Sequence, residues 1–140
     1  MKCITREKAK IDRIACPWLI TKFVDSDAEF VCLPHDTNCS AITDGTVFDV
    51  PNAELGHHGE YGSFDAIITR YGLDKDPALV ELGKIVRAAD TPRKDWAPEG
   101  IGLEANGFRR FSSDDFQNMR SQFAAYDARY AHRQAKVARK

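Results

Sequence analysis

Apolar and polar positions alternate along this chain with two different periods, and each period predicts an element. Between Lys10 and Asp25, the residues Ile14, Trp18, Leu19 and Phe23 fall on one helical face. Pro17 lies inside that stretch, and proline lacks an amide hydrogen and clashes with the carbonyl four residues back. The helix is therefore expected to begin near Cys16 or to bend there, with Asp12 and Arg13 at its entry. Ala28 to Leu33 and Thr46 to Val50 are short, β-branched and aromatic runs bounded by Asp, Pro and Gly, which predict two brief strands pairing as a small sheet. Ser63 predicts the N-cap of a helix carrying Phe64, Ile67, Ile68 and Tyr71, with Gly72 as its stop. Asp76 and Pro77 form a cap and first-turn pair ahead of Leu79, Leu82, Ile85, Val86 and Ala89, the clearest helical stripe in the chain. From Ser113 onward, Phe116, Met119, Phe123, Tyr126 and Tyr130 recur at helical steps along a long terminal helix, a stripe for the core or for a homodimer seam. Asp90 to Phe111 contains Pro92, Pro98 and three glycines and is read mostly as a long ordered loop.

These elements predict a compact α+β domain, mainly α, with four to five helices and a short sheet of two or three strands. At 140 residues and 43% apolar composition the chain is one domain, 1–140, able to bury a core without disulfide or structural metal; residues 1–8 and 133–140 are read as flexible ends. Twenty basic against twenty-one acidic side chains leave a net charge of −1, so no global field draws the molecule to nucleic acid or an anionic membrane. The basic terminal stretch from Ala128 is read as a solvated face that complements the helix dipole. Cys3, Cys16, Cys32 and Cys39 form no C-x-x-C pair, and no apolar run is long enough to span a bilayer, so a reduced, cytoplasmic chain is expected.

Candidate chemistry concentrates in Gly56-His57-His58-Gly59-Glu60-Tyr61-Gly62, where two imidazoles and a carboxylate share a glycine-rich loop and Asp65 follows shortly after. Imidazole nitrogen with carboxylate oxygen suits zinc, iron, manganese or nickel. The plain alternative is a solvated loop followed by a helix cap, for which Asp65 at a helix N-terminus suffices. Arg13 offers a planar fork for an oxyanion or carboxylate, or an ordinary salt bridge. Asp90 ends an apolar helical face and is either a buried carboxylate requiring a cation or a helix-terminal turn residue. Cys16 is read as a small buried hydrophobe.

The segments Lys10 to Ile20, Phe48-Asp49-Val50-Pro51, Glu54 to Glu60, Ser63-Phe64-Asp65 and Ile85 to Thr91 together resemble the chromate-resistance protein family, in its ChrB-type C-terminal domain, over about residues 8 to 132. The resemblance implies a small, mainly helical domain associated with chromate resistance. It also implies that Asp12, Arg13, His57, Glu60 and Asp90 are the positions that matter. Gly62 stands where members often carry a cysteine and Tyr61 where a basic residue is common, so thiol reduction of chromate at that position is not expected.

Combined, these readings give an expected site: a divalent transition metal (zinc, iron or manganese) on His57 and Glu60, with Asp90 or Asp12 as a third ligand and an open position facing Arg13. Glu60, Arg13 and His58 are the expected catalytic groups, with Arg13 and Asp65 contacting a small anionic ligand. The function expected is a metal-dependent enzyme or stress-resistance protein. The alternative is a metal or oxyanion sensor without turnover, or an interaction module. No membrane or nucleic-acid partner is expected for the domain alone.

Overall fold

The computed structural model describes residues 1–7, 12–59, 61–90, 105 and 107–138, without the side chains of Asp12 and Asp90. Three strands, β1 (Lys2–Arg6), β2 (Glu29–Leu33) and β3 (Thr46–Val47), form a parallel sheet in the order β2-β1-β3. Cys3 lies opposite Phe30 on one side and Thr46 on the other. Parallel neighbours require a crossover connection, and the helix α1 (Asp12–Phe23) supplies the one between β1 and β2. The central strand β1 lies where the sequence pattern predicts only a basic opening and flexible end, residues 1–8. The two predicted strands do not pair with each other but flank it. β3 is shorter than its apolar run, because Phe48 makes only an isolated bridge to Leu55 before the chain turns away.

Helix α1 continues through Pro17 rather than starting near it. The bond that Pro17 forfeits is the one to the carbonyl of Arg13. Against that loss stand Ile14, Ala15, Cys16, Trp18, Leu19 and Ile20, all with no solvent exposure. Each large side chain so buried contributes about 1.5–3 kcal/mol. A helix apolar nearly all round is a central helix, and α1 packs against α2 (Ser63–Arg70), α3 (Pro77–Asp90) and α5 (Asp115–Ala138). Residues 107–111 form the short helix α4, where the sequence pattern suggested the end of a loop; the rest of that predicted loop, 91–104 and 106, lies outside the described residues.

Trp18 joins α1 to α5. Its ring lies 5.9 Å from Tyr126 and 5.8 Å from Tyr130, and its indole N–H donates to Asp127 at 2.9 Å. The Tyr130 hydroxyl donates at 2.6 Å to Asp76, whose other oxygen accepts the Ala78 amide and caps α3. Burial and that bond push the Tyr130 phenol up to about 12. The aromatic stripe read from the sequence therefore belongs largely to the intramolecular core. Among the described residues, no helix is long and apolar enough to cross a membrane.

Candidate functional site

Beyond β3 the chain closes a tight loop. The Asp49 amide donates to the Leu55 carbonyl at 2.9 Å and the Ala53 amide to Val50 at 3.2 Å. Gly56 completes it, since a Cβ there would sit 2.9 Å from the Val50 carbonyl oxygen. Within this loop Asp49 adopts a left-handed backbone, φ +51°, which non-glycine residues occupy only when their surroundings hold them there.

Three side chains hold it. Arg13, from the first turn of α1, places Nε 3.2 Å from Asp49 Oδ2 and donates through Nη2 to the Asp49 carbonyl at 3.1 Å. Its Nη1 donates to the carbonyl of Glu7 at 3.0 Å, tying the site to the end of β1. Ser63 donates its hydroxyl to Asp49 Oδ1 at 2.7 Å, and His57 brings Nε2 to 3.4 Å from the same oxygen. Asp49 and Arg13 are largely buried, whereas the His57 side chain is 41% exposed. Arg13, Asp49 and His57 line an open cleft of about 350 Å³.

Ser63, expected to cap α2, is instead inside the helix, and Gly62 is the capping position. Asp65 performs the capping by accepting the Gly62 amide at 2.9 Å. Its two oxygens also receive Nε and Nη2 of Arg87, each at 3.1 Å. Asp65 is thus engaged in structure and lies apart from the Asp49 group. His58 turns to the other side of the loop, where Nε2 is 2.7 Å from the Glu54 carbonyl.

Of the residues expected from sequence, the structure joins Arg13 and His57, and it places His58 and Asp65 together on a neighbouring cleft. Glu60 and the side chains of Asp12 and Asp90 lie outside the described residues. Asp49 and Ser63 were not singled out as site residues. The available signal was the Phe48-Asp49-Val50-Pro51 segment, whose aspartate precedes a proline-containing turn.

Among the described residues, no three His, Cys, Asp or Glu side chains gather as a metal site. The Asp49 and His57 pair still has the spacing of half of one: two donors on a tetrahedral zinc ion, each about 2.1 Å from it, are about 3.4 Å apart. Cys3 and Cys32 offer no thiolate, because burial pushes their thiols up to about 11.

A small α+β domain with a carboxylate held between guanidinium, hydroxyl and imidazole at a cleft is the class that the fold and site define. The chain matches the family described as ChrB, C-terminal domain, over residues 3–133, and it belongs to that family. It is also 36% identical over 101 residues to Protein ChrB of Cupriavidus metallidurans, an alignment covering 72% of this chain and 30% of that protein. The aligned region thus spans under a third of the relative's length. No solved structure matches.

Proposed function

We propose that this domain binds a divalent transition metal, zinc, iron or manganese, through His57 and Asp49, and that the bound ion receives a small oxyanion. The observation that carries the reading is the 3.4 Å approach of His57 Nε2 to Asp49 Oδ1 at the mouth of a cleft. Glu60, expected from the sequence as a ligand beside His57, and Asp90 or Asp12, expected there as a third ligand, would complete the set around this pair. When bound there, a divalent ion supplies a Lewis-acid position for an anion oxygen. Arg13 orients Asp49 through its carboxylate and carbonyl together, and three of its five N–H groups are engaged with Asp49 and Glu7. The remaining two are available to an anion at the cleft. Ser63 fixes the carboxylate from the α2 side, as a supporting group beyond the ligands does in metal sites.

Chromate, the oxyanion of the family's association, is the first ligand to try; molybdate and sulfate provide its shape without its oxidising power. Turnover separates the enzyme from the sensor. An enzyme loses turnover in Glu60→Gln while keeping its fold, and a sensor shows metal-dependent anion affinity with no product.

The deciding experiment is the metal content of protein purified without a histidine tag. About one ion per chain is expected in the wild type, with loss of most of it in His57→Ala and in Asp49→Asn. Circular dichroism verifies that both variants remain folded. A wild type that takes up no zinc, iron, manganese or nickel on reconstitution, or a His57→Ala protein that keeps its metal, overturns the reading.

A further inference from the structure

The loop that aims His57 at Asp49 presents His58 to a second and larger cleft, about 580 Å³, which Glu54, Leu55, Tyr61 and Gly62 line together with α2. That volume lies in the range of small-molecule sites. His58 and Tyr61 are the facing pair of a tight turn: the His58 amide donates to the Tyr61 carbonyl at 2.9 Å and the Tyr61 amide returns to His58 at 3.1 Å. Gly59, at φ +63°, makes that reversal sterically acceptable. Side chains directly opposite in such a pair project to the same face.

Tyr61 is half exposed, yet its ring is fixed. The Arg87 guanidinium lies 4.7 Å from the ring centroid, and Arg87 is itself clamped by both oxygens of Asp65. Tyr61 lines the cleft while Arg87 covers one face of its ring. His58 Nε2 faces a carbonyl oxygen, which only accepts, so Nε2 donates to it and Nδ1 is the ring nitrogen outside that bond. Leu55 and Ala66 supply apolar wall. Arg70 stands at the rim, its ion pair with Glu54 stretched to 3.8 Å between side chains 60% and 80% exposed. A pair that loose and solvated is exchanged for a ligand anion at little cost.

We propose that this second cleft binds a small planar aromatic acid, with its ring stacked on Tyr61, its carboxylate on Arg70 and a polar ring group at His58 Nδ1. The cleft stands on its own geometry and does not depend on a metal at Asp49.

The test titrates the full chain with benzoate, 4-hydroxybenzoate and indole-3-carboxylate, following backbone amides by NMR. Saturable shifts are expected at Leu55, Gly62 and Ala66. Tyr61→Ala should weaken binding about tenfold while Tyr61→Phe retains it. Arg70→Gln should also cost about tenfold, and Glu54→Gln, which frees Arg70, should tighten binding about twofold. His57→Ala should leave the affinity unchanged, which separates this cleft from the metal reading. No saturable binding of any of the three acids up to about 10 mM, or binding indifferent to both Tyr61→Ala and Arg70→Gln, overturns the proposal.

Discussion

Asp49 and Asp65 are close relatives in their surroundings and opposites in their use. Each is paired with an arginine, and the two side chains are almost equally shielded, 14% and 15% exposed. Asp65 sits at the start of a regular helix, where one carboxylate caps the Gly62 amide and takes both nitrogens of the Arg87 fork. Asp49 sits in a left-handed turn, receives Arg13 at one oxygen, and shares the other between a hydroxyl and a half-exposed imidazole. Both carboxylates border a cleft, but Asp65 has both oxygens taken by Arg87, whereas one oxygen of Asp49 is shared with a half-exposed histidine. Burial and a basic neighbour alone do not mark a functional carboxylate. What sets Asp49 apart is a half-exposed imidazole partner and a left-handed backbone.

The largest effect should come from the closed pair. Asp65→Asn removes the carboxylate charge that both nitrogens of the shielded Arg87 bond to, and urea denaturation should show a loss of about 2–4 kcal/mol. A loss under about 0.5 kcal/mol would mean that the pair is only a surface contact. Asp49→Asn should cost less, about 1–2 kcal/mol, because asparagine tolerates the left-handed backbone, its one side-chain oxygen still accepts from Ser63, and the backbone carbonyl still accepts from Arg13. Equal losses in the two variants would erase the contrast and make Asp49 a structural ion pair.

Asp127 extends the series to a carboxylate nearly half exposed. The indole N–H of Trp18, and then Lys22, hold its carboxyl below the usual range. A lowered folded-state value means that the stabilisation is complete above the unfolded value and is lost as pH falls through the folded one. Asp127→Asn should therefore lower the melting temperature slightly at neutral pH, and its gap from wild type should narrow below about pH 4. A gap independent of pH would mean that the Trp18 bond owes nothing to the charge.

Much of the fold was legible because it rests on local pattern. The stripe Leu79, Leu82, Ile85, Val86 after the Asp76-Pro77 cap is helix α3, and the aromatic series from Phe116 is α5. The central strand escaped because Lys2-Cys3-Ile4-Thr5-Arg6 has polar ends and a threonine among its buried positions. Only pairing on both edges makes such a segment a strand. Ser63 looked like a cap because its type favours one, yet Asp49 claimed its hydroxyl and Asp65 took over the amide.

The sequence by itself determined the helix periodicity, the apolar character of α1, the glycine-rich loop and the family to which the chain belongs, since each is written in residue type and spacing. Tertiary structure alone decided that Asp49 is the hub, that Arg13 reaches it from another element, and that His57 and His58, adjacent in the chain, serve different clefts. A left-handed turn and an extended loop set the direction of a side chain, and direction is fixed by what the backbone bonds to across the fold rather than by its neighbours in sequence.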